Sequence, residues 1–315
     1  MVKIRGKDML VIEAHAHVWK KFGGQRLGKF KQEALKYGKV KQGDEIFHLL
    51  TPEYEDCSVK IEVYEEYMEY LGIDKAVILQ NPCYGDQREY LRDIINRSPG
   101  KFVTIGMLDP RKKDTVKSEI DTLMKNFNCS GIKIEIPDVP FIMDDHEYDF
   151  LWKKIMDNDG IAVIDLGWGD GPYDFNIDRL RNVIKKYPDI KMVLPHLGVS
   201  RLWDLNQKYP YESLQKTLSL LEINKDNLWF DFGGIQFYNW DDEYPFYRSL
   251  DILKTVKETC GMEKVMWGTD YPTVLKQGSY RQALDIVLKH CDFFSDEDME
   301  NVLGRNATKI YFKNK

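Results

Sequence analysis

The chain has 315 residues and a formal net charge of −6, from 45 Lys+Arg against 51 Asp+Glu. With 43% hydrophobic and 30% charged residues it has the composition of a folded globular protein, which excludes disorder, collagen, a coiled coil and a disulfide scaffold. The length suits two domains or one α/β barrel with insertions. Its mild acidity speaks against nucleic acid, which calls for a basic stripe.

Near the start, the short apolar run 9–12 is cut by Glu13, so no signal peptide is read, and no segment approaches the ~18 apolar residues of a membrane span. The five cysteines are scattered and lack C-x-x-C spacing, which reads as a reduced, cytoplasmic protein whose thiols are small buried side chains.

Going along the chain, short runs rich in Val, Ile, Leu or Met recur at 9–14, 75–80, 102–108, 131–136, 161–166, 191–195, 228–232 and 264–267. Each stops near Gly, Pro, Asn or Asp, as buried parallel strands do. Amphipathic helical patterns lie between them at 60–71, 115–127, 148–158, 177–187 and 247–260; the first carries Ile61, Tyr64, Tyr67, Met68 and Leu71 on one face and stops at Gly72. This order predicts one α/β domain, a (β/α)8 TIM barrel over 1–315. No Gly-rich phosphate loop follows the first strand.

Two stretches depart from the alternation. Residues 19–57, rich in Lys, Gly and Gln with little strand periodicity, are predicted as a lid-like insertion after the first strand. Residues 235–247 are aromatic and acidic and include Trp240. They read equally as a packed surface loop, an oligomer contact or a pocket wall, in which Trp240 would meet substrate.

Three strand ends carry candidate chemistry. Glu13-Ala14-His15-Ala16-His17 ends the first strand, and alternation predicts both imidazoles on one side with Glu13 beneath them, a spacing that can chelate a divalent ion. Asp270, in Trp267-Gly268-Thr269-Asp270-Tyr271-Pro272, falls at the end of the eighth strand, beside the first in a closed barrel. It could bind metal, take a proton from water or merely cap the next helix. His196 follows the sixth strand with the parity of Met192 and Leu194, and is either a substrate-polarising group, a ligand or a hydrogen-bonded rim residue. On the fourth strand the isoleucines should face the helices and Lys133 and Glu135 the interior, where Lys133 either binds a substrate carboxylate or pairs with Glu135 or Glu13. Asp231 and Arg201 are weaker candidates.

Together with Asn306-Ala307-Thr308-Lys309-Ile310-Tyr311, these motifs resemble the amidohydrolase-related branch of the amidohydrolase superfamily, which includes aminocarboxymuconate-semialdehyde decarboxylase. The resemblance runs from Ile12 to Phe312, and its specificity lies in the order and spacing of the motifs together. It implies a metal-dependent TIM barrel with His15 and His17 as paired ligands, Asp270 as ligand and proton acceptor, and His196 positioning substrate and activated water. Two positions depart from the branch pattern: Glu13 stands where Asp is usual, and Asp165 stands where the fifth strand usually supplies a metal-binding His.

A ligand set of His15, His17, Asp165 and Asp270 remains chemically complete, and the added carboxylate moves preference from zinc towards manganese, iron or magnesium. The implied cofactor is one divalent ion, zinc or manganese. The implied reaction is hydrolysis of an amide, ester or lactone of a small carboxylated substrate, with Lys133, Arg201 and Trp240 as substrate contacts. Decarboxylation of an aromatic or enoic acid is the alternative, followed by a metal-free lactonase or a non-catalytic binding barrel. Members of the branch often form homodimers.

Overall fold

In the computed structural model, which describes residues 2–4, 6–26, 29–167, 171–199, 211–238 and 242–313, eight parallel strands form one sheet. In barrel order they are β1 (Ile12–Ala16), β2 (Lys75–Leu79), β3 (Phe102–Met107), β4 (Gly131–Glu135), β5 (Ile161–Asp165), β6 (Lys191–Leu194), β7 (Leu228–Asp231) and β8 (Val265–Met266). The last strand returns to the first through an Ala16–Tyr271 bridge, with Ala14 N donating to Trp267 O at 3.0 Å and His17 N to Tyr271 O at 2.8 Å. The fold is the (β/α)8 barrel that the alternation of strands and helices predicts. Its crossovers are α1 (Ile61–Leu71), α2 (Arg88–Arg97), α3 (Lys113–Asp121), α4 (Asp149–Asp157), α5 (Ile177–Lys186), α6 (Glu212–Leu218) and α7 (Tyr247–Cys260), with α8 (Tyr280–Asp285) after β8. Gly72, with φ of 72°, ends α1 in the left-handed conformation that glycine adopts without steric cost.

Side-chain alternation sorts the strands into two cores. On β2, Ala76 and Ile78 join the layer beneath the helices, while Val77 and Leu79 join the barrel interior. On β5, Ala162 and Ile164 face outward, and Ile161 and Val163 inward. The interior is closed at one end by Ala307, Tyr311 and Phe312, at and just beyond the C-terminal helix (Asn306–Tyr311). Each fully buried Val, Ile or Leu contributes about 1.5–3 kcal/mol as an upper figure, so the two layers supply most of the stabilisation. At the carboxyl ends of the strands, the inward positions change from apolar to charged.

Three expectations need correction. The first barrel strand begins at Ile12 rather than residue 9, because Lys7–Met9 pairs antiparallel with Val2–Ile4 instead. Within β1 the register shifts between Glu13 and Ala16, so strict alternation fails there. Glu13 pairs with outward-facing Ala76, and its carboxylate lies against Tyr280 of α8 rather than beneath the histidines. Finally, the stretch 19–57 is not poor in strands: Gln25–Arg26, Phe30–Ala34, Lys39–Gln42 and Glu45–His48 form a four-stranded antiparallel sheet. Its periodicity is hard to read because Gln32 and Val40 are the only buried residues of its strands, and one of these is polar. The Gly43-Asp44 pair, flanked by the partners Gln42 and Glu45, is the hairpin signal that the sequence did contain.

Candidate active site and metal centre

The register shift in β1 turns His15 and His17 into the barrel mouth, where their Nε2 atoms approach to 3.2 Å. Their other ring nitrogens fix the tautomers. His17 Nδ1 lies 2.9 Å from the Leu79 carbonyl, which can only accept, and His15 Nδ1 lies 3.0 Å from Asp231 Oδ1. Burial raises the Asp231 carboxyl, but its contacts with the His15 and His196 imidazoles outweigh that and hold it below the usual carboxylate range. Both Nδ1 atoms therefore carry a proton, which leaves the two Nε2 atoms as the positions that can meet an ion. Burial of the His17 ring, only partly offset by Asp270, lowers its pKa to about 4 and keeps it neutral.

Asp270 completes the group, with Oδ1 3.0 Å from His17 Nε2 and 3.6 Å from His15 Nε2. Burial raises its carboxyl, but contact with the imidazoles of His17, His15 and His196 outweighs that and holds it at about 2. With His17 neutral and Asp270 ionised, His17 Nε2 and Asp270 Oδ1 meet as two acceptors, and a cation between them and His15 Nε2 would relieve that repulsion. Among the described residues, these three form the group of His, Cys, Asp and Glu atoms lying within 4.8 Å of one another. Ligands about 2.1 Å from a tetrahedral ion stand roughly 3.4 Å apart, so the observed spacings fit zinc-type coordination. The Nδ1–carboxylate and Nδ1–carbonyl contacts are the outer-shell partners that orient metal-binding imidazoles.

Glu13 ties the two ligand-bearing segments together from behind. Its Oε1 accepts from His15 N at 2.9 Å and from Thr269 N at 2.8 Å, and its Oε2 accepts from Tyr280 OH at 3.0 Å. Burial pushes this carboxyl up to about 8, against the lowering effect of its donors.

His196 reaches the mouth by a different route. Met192 and Leu194 face the helices, so the parity assigned to His196 would turn it away from the cavity. The strand ends at Leu194, and left-handed φ values of 57° at both His196 and Leu197 swing the ring inward instead. Its Nδ1 donates to Gly233 O at 2.6 Å, and its Nε2 faces Asp165 Oδ2 at 3.5 Å. Burial alone would lower its pKa, but the hydrogen bond and charge of Asp165, with the charges of Asp270 and Asp231, raise it to about 10.

Asp165 lies outside the three-residue group, engaged by His196 and by Lys133 Nζ at 3.6 Å. Lys133 also pairs with Glu135 at 2.7 Å, the arrangement that the parity of β4 anticipated. Burial opposes the Lys133 charge, and the two carboxylates more than restore it, so its pKa is raised. Arg201 and Trp240 lie outside the described residues.

These groups meet in one cavity of about 440 Å³, lined by His17, Lys133, Glu135, Asp165, His196 and Asp270 from the barrel and by Arg26, Gln32, Gln42 and Phe47 from the inserted sheet. Arg26 and Gln32 were missed by the sequence reading, since nothing local in the insertion distinguishes them from surface residues. Arg26 Nη1 donates to Asn81 Oδ1 at 3.2 Å and Asp138 Oδ2 at 3.3 Å. Asp231 did carry a signal, because it shares the inward parity of Trp229 at the end of β7.

Comparison with known proteins agrees with this fold. The chain is 21% identical over 256 residues to an L-fucono-1,5-lactonase from Burkholderia ambifaria, covering 76% of this chain and 80% of the relative. It is likewise 21% identical over 265 residues to decarboxylase orsB of Emericella nidulans, covering 72% and 75%. In fold it matches a zinc-bound amidohydrolase from Burkholderia multivorans with a TM-score of 0.69, 14% identity and coverage of 96% and 99%. The amidohydrolase family model matches residues 12–313, from β1 to the end of the described chain, and this protein is an enzyme that belongs to that family.

Proposed function

We propose that the enzyme is a metal-dependent hydrolase that cleaves an ester, lactone or amide bond in a small carboxylated substrate. One observation carries this reading: three ligand atoms, from the buried His15 and His17 and the half-buried Asp270, converge beside a cavity that also holds a charged imidazole. His15, His17 and Asp270 would hold the ion, and this set of two imidazoles and one carboxylate suits zinc, with manganese as the other candidate. Such an ion, when bound, lowers the pKa of a coordinated water and polarises a carbonyl.

The side chains supply the remaining steps. Asp270, ionised well below neutrality, accepts the proton of the attacking water. His196, fixed through Nδ1 on Gly233 O and kept charged by Asp165, directs its Nε2–H at the carbonyl oxygen as negative charge grows there. Lys133 and Arg26 place positive charge at the cavity wall, where they hold the substrate carboxylate. Asp165 in this reading orients His196 rather than binding the ion, since contact with the ion would cost it Lys133 and His196.

Decarboxylation is the second reading, favoured by the same charged His196, which could protonate carbon after carbon dioxide leaves. The test is metal analysis of the purified chain, then a panel of sugar lactones and hydroxylated benzoates assayed for released acid and released carbon dioxide. The hydrolase reading expects about one equivalent of zinc or manganese, acid without carbon dioxide, and a loss of roughly 10²–10⁴-fold in kcat on Asp270→Asn. Carbon dioxide release would establish the second reading. Acid release that survives chelation, with no first-row metal bound after reconstitution, would overturn metal dependence.

A further inference from the structure

The inserted sheet turns one face towards the barrel mouth. On it Ala34 stands opposite Val40, Val40 opposite Phe47, and Gln32 opposite Gln42. Gln32 shares that face, is 2% exposed, and is the one buried residue of its strand. Its Nε2 donates to Gln42 Oε1 at 2.6 Å, while its Oε1 has no hydrogen-bond partner among the described residues. Both amides line the cavity that contains His17, His196 and Asp270. A buried amide oxygen left unpaired costs stability, and an apolar residue of similar size would avoid that cost. The position is best accounted for by a group that enters with the substrate.

We propose that Gln32, braced by Gln42, is a specificity-determining residue that recognises a hydroxyl group of the substrate. A hydroxyl fits whichever way the amide pair is turned. With Gln32 Oε1 facing the cavity it donates, and with both amides reversed it accepts from Gln32 Nε2. A carboxylate could meet only the reversed amide, and Arg26 and Lys133 on the same wall are its stronger partners, while an ammonium group would be drawn to Glu135, Asp165 and Asp270 instead. The inserted sheet is then a specificity element, contributing Arg26 for charge and Gln32 for the hydroxyl, while the barrel supplies the chemistry. This inference rests on the reading of the cavity as the substrate pocket, but requires neither turnover nor bound metal.

The experiment is calorimetric titration of the full chain with two matched pairs of acids, gluconate against hexanoate and 2,4-dihydroxybenzoate against benzoate. The hydroxylated member of at least one pair should bind about tenfold more tightly, the worth of one well-made neutral hydrogen bond. Gln32→Met should erase that preference, leave affinity for the hydroxyl-free acid unchanged, and keep or raise the thermal midpoint because an unpaired polar atom has gone. Gln32→Asn, which retains the amide but withdraws it by one methylene, should erase the preference too and decides the matter if the Met variant misfolds. No preference in the wild type, a preference that survives these substitutions, or no binding of any of the four acids at millimolar concentration overturns the proposal. A chain that binds no first-row metal after reconstitution and releases no acid from any lactone, yet keeps a Gln32-dependent preference, would sink the hydrolase reading alone.

Discussion

His15 has almost no freedom of position. A Cβ added at Gly268 would lie 2.7 Å from His15 Cβ, and one at Gly233 would lie 2.8 Å from His15 Cγ and Nδ1. Glycine is needed at both places for closeness of approach to the ring rather than for backbone freedom. Gly268→Ala should therefore displace His15 and lower metal affinity by about tenfold or more, comparable with loss of an outer-shell partner, as measured by competition with a chelator. An unchanged affinity would show that His15 is not a ligand. His196 offers a pH test. Its folded pKa of about 10 lies above the ordinary value near 6.5, so its charge contributes stability fully below about pH 6.5 and loses it as pH rises towards 10. In the metal-free protein, the unfolding free-energy gap between wild type and His196→Gln should shrink over that range, by at most roughly 1.4 kcal/mol per pH unit. A gap that stays constant with pH would mean that Asp165 does not hold His196 charged. His15, His17 and Asp270 were readable from spacing and strand-end position. The inward turn of His196 was not, because it depends on two left-handed residues whose identities, His and Leu, give no local warning.

At the level of elements, the inserted sheet is anchored at its base by aromatic packing. Trp19 stacks on Tyr84 with ring centroids 4.0 Å apart, donates from Nε1 to Cys57 O at 2.6 Å, and bridges to Val59, so one side chain ties both ends of the insertion together. Trp19→Ala should cost about 3–5 kcal/mol in unfolding free energy. Hydrogen exchange should quicken across Gln25–Arg26 and Glu45–His48 well before it does in β4 or β5. Equal acceleration in the barrel strands would show that the insertion is not a separately anchored unit. The barrel strands themselves were legible because burial on both faces leaves continuous Val, Ile and Leu runs. The insertion was not, since a small sheet with one sheltered face needs few apolar residues and one of its two buried positions is the polar Gln32.

Across the whole molecule, closure of the barrel decides whether a site exists at all. Asn306, fully buried behind β8, donates from Nδ2 to Met262 O at 2.7 Å and Val265 O at 2.8 Å, holding the C-terminal helix where Tyr311 enters the interior. Asn306→Ala leaves two buried carbonyls short of a donor and should cost about 2–3 kcal/mol, read as a lower urea midpoint with an unchanged slope. A midpoint within error of the wild type would show that this junction does not stabilise the closed barrel. The sequence by itself determined the barrel, its strand order, the histidine pair and the rim carboxylate, because these follow from local apolar runs and from residues at strand ends. Only the tertiary structure decided that Asp231 meets His15, that Asp165 lies against His196 and Lys133 and outside the group of His15, His17 and Asp270, and that Arg26 and Gln32 line the same cavity from the insertion. Those roles rest on which distant segments come within hydrogen-bond reach. That is set by the β1 register shift, the left-handed turn after β6 and the docking of the inserted sheet, none of which has a periodic signature in the chain.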